Sequence, residues 1–425
     1  MNHKTMGAPP PSSLPLRAIG VMTLCAAFLF YKYILQNFPS VMAGQLMEAF
    51  HLQGLGLGVL SGVYFWTYLI VPLFVGLILD HYGTRWVTSM AIFACAIGIY
   101  IFSQAVELNT AIIGRALTGV GVSFATIAYF KLAAVWFDKK YYALLSSFVV
   151  AAAMIGAVCG QMPLAWLMQQ VGWRNSLVDL AWLGIALSVL FLLWVRDAPA
   201  VSIQHEHTED HASVWQSILL IVKNKQNWLL TAFGGLAFSP VVIFCGLWGN
   251  PFLQQAYHMD KLTSSSLISV VFIGLGIGSP LYAMATNWVK NRCMLMGYST
   301  LVSALALSLI IYVHPMPIWL LGVCLFLFGF NLGAFSIVFV IGKESNPLFL
   351  AGTVISLINA SDAFLDAITE PLIGLILDVF GKTAYAQEFS LASYHLALAI
   401  LPLYQVIGAW ALRYVRDEQH ESTGP

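Results

Sequence analysis

Charge is what this sequence has least of. Only 9% of its 425 residues are Asp, Glu, Lys or Arg, where a soluble protein carries roughly 25%. So few charges cannot cover a water-exposed surface, so lipid must meet most of the exterior. The net charge is zero, which offers no basic surface to nucleic acid. The six cysteines (Cys25, Cys95, Cys159, Cys245, Cys293 and Cys324) show no metal-ligand spacing and sit mostly in apolar runs. They read as small apolar residues rather than a disulfide framework. His205, His207 and His211 lie among Glu206, Glu209 and Asp210. A flexible solvated loop explains that cluster better than a metal site. The chain also lacks a Walker phosphate loop, a zinc-protease helix and a nucleophile elbow. An ATP-driven pump, an enzyme and a bound cofactor are therefore not expected.

What is present is apolar. Hydrophobic residues make up 59% of the chain, and mean hydropathy is +0.81. A membrane-spanning helix needs about 20 apolar residues to cross a hydrocarbon core roughly 30 Å thick. Twelve stretches meet that need, at 18–38, 56–79, 86–105, 109–135, 143–168, 175–195, 228–254, 264–286, 293–313, 316–341, 349–377 and 391–414. The expected fold class is an all-α membrane protein of twelve transmembrane helices in two pseudo-symmetric six-helix bundles. The first apolar run is too long for a signal-peptide core and reads as a retained helix. The only long polar stretch lies mid-chain. It divides the sequence into an N-terminal bundle at 1–196, a linker at 197–226 and a C-terminal bundle at 227–425.

The basic residues orient the spans. Lys32, Arg115 and Lys131 fall within them, and Arg174, Lys261 and Lys382 fall on one side. The other thirteen of the 19 Lys and Arg share the side of both termini and the linker. The positive-inside rule makes that side cytoplasmic. A shared offset also links the halves. Asp80 and Asn287, like Arg85 and Arg292, are 207 residues apart, and Pro163 and Pro371 are 208 apart. That fits a duplicated six-helix unit. The run Gly-Leu-Ile-Leu-Asp at 76–80 recurs at 374–378. The two copies fall on opposite membrane sides, so the match reads as coincidence.

Three segments carry a family resemblance. Gly76-Leu-Ile-Leu-Asp80-His-Tyr-Gly83-Thr-Arg85 resembles the loop after the second helix of the major facilitator superfamily. Gly114-Arg115-Ala-Leu-Thr-Gly119-Val-Gly121 resembles that family's fourth helix, and Gly172-Trp173-Arg174 the segment after its fifth. A narrower likeness runs through Leu35–Met42, Lys131–Phe137 and Gly246–Leu253. These are similar to the phagosomal nutrient transporters of intracellular bacteria and, more distantly, to a lysosomal dipeptide carrier. The resemblance implies uptake of a small polar nutrient, such as an amino acid or nucleoside, across a bacterial inner membrane. Asp366 and Glu370 depart from the pattern, standing where neutral residues are expected.

The residues themselves carry further expectations. Asp80 and Arg85 close the second span, where a carboxylate can cap a facing helix N-terminus and act as a gate. The ordinary alternative makes Arg85 a topogenic charge only. Arg115 couples elements of the N-terminal half or snorkels. Lys32 and Lys131 are costly in hydrocarbon. Each anchors a substrate anion or pairs with an acid of the eleventh span. Gln36 shares the face of Lys32. Gly249 and Pro251 kink the seventh span beside Trp248 and Asn250. With Gln161 and Asn331 these residues line the path or make interhelical hydrogen bonds.

The eleventh span carries the sharpest pattern. Asn359, Asp362, Asp366 and Glu370 are three, four and four residues apart. At 3.6 residues per turn they share one stripe. Three carboxylates on one stripe cannot face lipid. Asp366 and Glu370 are the expected proton-coupling pair, and Asp362 a substrate contact. The expected function is secondary, proton-coupled transport of an amino acid or short peptide. The alternatives are a polycarboxylate siderophore, a nucleoside, or a non-transporting nutrient sensor. The expected partners are a small-molecule substrate, protons and membrane lipid, with no nucleic acid, and the chain is expected to be a monomer.

Overall fold

A computed structural model describes residues 16–137, 141–197, 220–289, 291–347, 350–381 and 389–417. The histidine cluster at 205–211 lies outside the described residues. Among those described, ten helices are long and apolar enough to cross a membrane, and a bent pair makes an eleventh. The twelfth, Ala351–Phe380, has 30 residues but carries Asp362, Asp366, Glu370 and Asp378.

In chain order, α1 is Leu16–Ala49 and α2 is Gly54–Ile70 with Pro72–Tyr82. Then come α3 at Thr84–Gln104, α4 at Leu108–Trp136, α5 at Leu144–Val171 and α6 at Trp173–Trp194. The second half holds α7 at Lys225–Tyr257, α8 at Lys261–Ala285, α9 at Arg292–Tyr312 and α10 at Ile318–Glu344. It ends with α11 at Ala351–Phe380 and α12 at Leu391–Tyr414.

The first span runs well past residue 38. Pro39 is accommodated inside α1, and the backbone leaves helical geometry only at Met42. Asn37 and Ser40 mark no helix end because both are buried and turn inward. The bend in α2 is 53°, at Val71. Pro72 follows, and its ring cannot fit against the carbonyl one turn back. Pro251 acts similarly on α7. It has no N–H for the carbonyl of Leu247, and the chain widens into a π-turn at Phe244–Trp248 just before it. The irregularity expected at 249–251 therefore lies about one turn earlier. Asp260 caps α8, accepting from Leu262 N, Thr263 N and the Thr263 hydroxyl. That hydroxyl bond holds its carboxyl below the usual range.

The two halves pack alike. The pairs α3–α4, α3–α6, α1–α5 and α2–α4 recur six helices later as α9–α10, α9–α12, α7–α11 and α8–α10. A shared capping device supports the repeat. Asp197, following α6, accepts from Thr84 N and Arg85 N at the start of α3. Asp417, following α12, accepts from Arg292 N and Nε at the start of α9. The halves meet through α2–α11, α5–α8 and α1–α7, the first being the most extensive. There Gly54, Gly58 and Gly62 face Gly374, Pro371 and Ala367. A Cβ at Gly54 would stand 2.6 Å from the Gly374 carbonyl oxygen. Small residues every fourth position let backbones touch, which is how helices associate where lipid removes the hydrophobic drive.

Candidate functional site

The acid stripe of α11 faces inward. Asp366 and Glu370 are buried, while Phe364 and Ile368 on the other face are 46% and 41% exposed. Asp362 is half-buried. Among the described residues, one carboxylate oxygen each of Asp362 and Asp366, and both of Glu370, have no hydrogen-bond donor. Buried carboxylates without donors are costly unless protonated or matched by a cation. Ser61 of α2 stands beside Glu370, and Ser239 of α7 beside Asp366.

Two buried cations from the other half face this stripe. The Lys32 ammonium of α1 donates to the Tyr68 hydroxyl at 2.8 Å. It also lies 4.3 Å from the Tyr68 ring centroid and 5.1 Å from that of Tyr33. The charge of Asp362 acts on it, yet no ion pair joins them among the described residues. Gln36, half-buried one turn along, gives its backbone carbonyl to Arg115. Arg115 does not snorkel. It is fully buried and donates to Leu35 O at 2.6 Å and Gln36 O at 3.2 Å, so that α4 is stapled to α1. Its guanidinium lies 4.5 Å from the Tyr64 ring and 4.8 Å from the Phe38 ring. Its Nε has no acceptor, and Glu370 is the carboxylate that acts on it across the interface.

Between described residues, every hydrogen bond joining the halves lies on the side of Asp378. Gly54 N and Leu55 N donate to the Asp378 carboxylate at 2.7 and 2.8 Å. Lys261 donates to Gln45 at 2.7 Å. Asn250 donates to Ser40 and to Gln161, and Gln161 donates to Cys245 O, each at 2.8 Å. On the side of Asp80 and Arg292, the basic face, no such bond occurs between described residues. The molecule is thus latched at one face, with the acid stripe between the latch and the basic face.

Several expected site residues are placed elsewhere. Lys131 does not reach Lys32 or the stripe; it pairs with Asp80 at 2.7 Å. It sits five residues, about 7.5 Å along a helix, beyond Thr126, the α4 residue next to Tyr68. Among the described residues Asp80 therefore has a partner within its own half rather than a facing helix N-terminus. Arg85 also stays in its half, donating through Nε to Leu192 O at 2.7 Å. Gln161 and Asn250 use their amides on each other, with Ser265 filling the Asn250 oxygen. Asn331 is held by Tyr282 and Leu327 O. Trp248 donates to Glu370 O at 3.2 Å. These four serve helix contacts in this state and leave no free group for a ligand. Asp378, Asp197 and Asp417 are the acids that sequence reasoning passed over. The repeat of Gly-Leu-Ile-Leu-Asp at 374–378 was the available signal for the first.

Membrane helices in two like halves, an inward stripe of acids and buried cations opposite define a solute carrier. The chain belongs to the Major Facilitator Superfamily, whose sequence model matches residues 22–369. It is a multi-pass integral membrane transporter of a small-molecule substrate, not an enzyme. An uncharacterized transporter, YybO of Bacillus subtilis, is 22% identical over 91% of this chain and 93% of its own. The probable galactarate/D-glucarate transporter GudP of the same organism is 21% identical over 90% of each chain. Among solved structures, a mutant form of the nucleoside transporter NupG aligns with a TM-score of 0.72 at 15% identity, over 93% of this chain and 100% of that one. That likeness establishes the shared fold.

Proposed function

We propose that this protein is a proton-coupled secondary transporter of a small carboxylated polar solute, working by alternating access. The carrying observation is Lys32, a buried ammonium that, among the described residues, is bonded only to a phenol and paired with no carboxylate. A buried cation left unpaired is costly, and a substrate carboxylate supplies the missing anion. Tyr33, Tyr68 and Gln36 add polar and aromatic surface beside it. Asp366 and Glu370 bind and release the coupling proton, with Arg115 opposite Glu370 as the counter-charge. Asp80 with Arg85, and Arg115, act in gating and coupling.

GudP is a probable carrier of galactarate and D-glucarate, both hydroxylated dicarboxylates, so the first reading is a sugar acid. A zwitterionic amino acid or short peptide is the second reading. It is favoured by Asp362, an acid beside Lys32 suited to an ammonium. The halves are proposed to be 1–196 and 227–425 with the linker at 197–226. The basic face and both termini are proposed to be cytoplasmic, in a bacterial inner membrane, with the monomer as working unit.

Proteoliposomes with an imposed pH gradient test the proposal. Accumulation of labelled glucarate or an amino acid is expected, together with proton movement. Lys32→Gln should weaken binding of the carboxylated solute about tenfold to a hundredfold, the worth of a hydrogen bond to a charged group. An analogue with its carboxylate amidated should be spared. Equal loss for both ligands would make Lys32 structural.

A further inference from the structure

In the second half, exposed residues of α9 and α12 near the basic face line a groove of about 610 Å³. Its lining is mixed, with apolar side chains of both helices along its length and Asn291, Arg413, Arg416 and Asp417 at the basic end. Met294 and Tyr298 of α9 are more than half exposed, and Leu301 continues the wall toward the membrane centre. Gly297 opens the floor, since an added Cβ would meet nothing closer than Ala409 O and Leu412 Cδ1 at 3.9 Å. Arg413 and Arg416 stand at the mouth, exposed. Neither guanidinium has a hydrogen bond or ion pair among the described residues, because the nearby acid Asp417 is occupied by Arg292. Trp410 and Tyr414, 54% and 59% exposed and in edge-to-face contact at 5.2 Å, flank the same helix end. Exposed Trp and Tyr mark headgroup depth, so the two arginines sit where phosphates lie.

We propose that this groove binds an anionic phospholipid, the phosphate on Arg413 and Arg416 and an acyl chain along Met294, Tyr298 and Leu301. The chemistry is complementary at both ends: unpaired cations at headgroup level, and an apolar trough at hydrocarbon level. A free phosphate would satisfy only the first. A zwitterionic lipid would gain little from the pair of charges, each worth about a fivefold change in partition of anionic lipid near a membrane surface. The site stands apart from the acid stripe and does not rest on the transport reading.

The test is native mass spectrometry of the full chain with phosphatidylglycerol and phosphatidylcholine of the same acyl composition. Several-fold preference for phosphatidylglycerol is expected. Arg413→Gln and Arg416→Gln should each lower its retention about fivefold, and both together about thirtyfold. Gly297→Leu should lower retention of both lipids by filling the trough. Unfolding midpoints within a degree or two of wild type show that the variants fold. If the double variant does not, the two single variants decide the matter. Equal retention of both lipids, unchanged retention in the arginine variants, or displacement of lipid by millimolar inorganic phosphate would each overturn the proposal.

Discussion

The carboxylate of Asp378 receives the first two backbone N–H groups of the helix that begins at Gly54, at 2.7 and 2.8 Å. These residues belong to different halves of the molecule and are 324 positions apart in sequence. An anion at a helix N-terminus satisfies groups that have no partner within the helix and is favoured by the helix dipole. Because the contact spans the halves, it exists only while this face is shut.

Asp378→Ala should shift the equilibrium toward the state open at this face. Charge-assisted bonds of this kind contribute about 2 kcal/mol, a change of about thirtyfold in a two-state equilibrium. Spin labels at Gln53 and Val379, both exposed, should report a longer distance population in the variant. An unchanged distance distribution would show that the latch carries no weight.

Gly58→Leu should hold the same face open by sterics. Its Cβ would overlap the Glu370 carbonyl oxygen and approach Pro371 Cα, both backbone atoms that cannot step aside. Overpacking of this sort costs about 1–3 kcal/mol or more. Here the strain is relieved by separating α2 from α11. Uptake is expected to be lost while insertion and thermal stability stay near wild type; wild-type uptake would remove this contact from the cycle.

Asp366→Asn and Glu370→Gln should each abolish pH-driven accumulation, with counterflow exchange surviving in at least one. Both carboxylates are buried and short of donors, so replacing either with a neutral amide removes a proton site without adding bulk. Asp362→Asn should instead weaken substrate binding. If both neutral variants concentrate substrate with unchanged pH dependence, the coupling role fails.

Asp80→Asn separates stability from gating. In this state Asp80 is 73% exposed and pairs with Lys131, and exposed ion pairs contribute about 0–1 kcal/mol. Stability should therefore barely move. Transport should slow several-fold under the gating role proposed for this carboxylate. Measuring uptake and the unfolding midpoint on one preparation checks both halves of the prediction.

The spans, their grouping and the acid stripe could be read from the chain because each depends on local periodicity and composition. Phe364 and Ile368 alternate with Asp362 and Asp366 in a way only one orientation satisfies. The pairings were harder. Lys131 and Asp80 are 51 residues apart, and nothing in either segment names the other. Gln161 and Asn250 each look like path-lining amides until they are seen to use each other up. Asp378 shares the run Gly-Leu-Ile-Leu-Asp with Asp80, but the N–H groups it caps are 324 and 323 residues away, and nothing in the run names them.

The bend at Val71 divides α2 between two loyalties. Its first segment is packed along α11, while its second, Pro72–Tyr82, packs chiefly against helices of its own half, α3 and α4. A straight rod would transmit any tilt at Gly54 directly to Asp80. An elbow of 53° instead turns sliding at one end into swing at the other, so the two ends of one span need not move by the same amount or in the same direction.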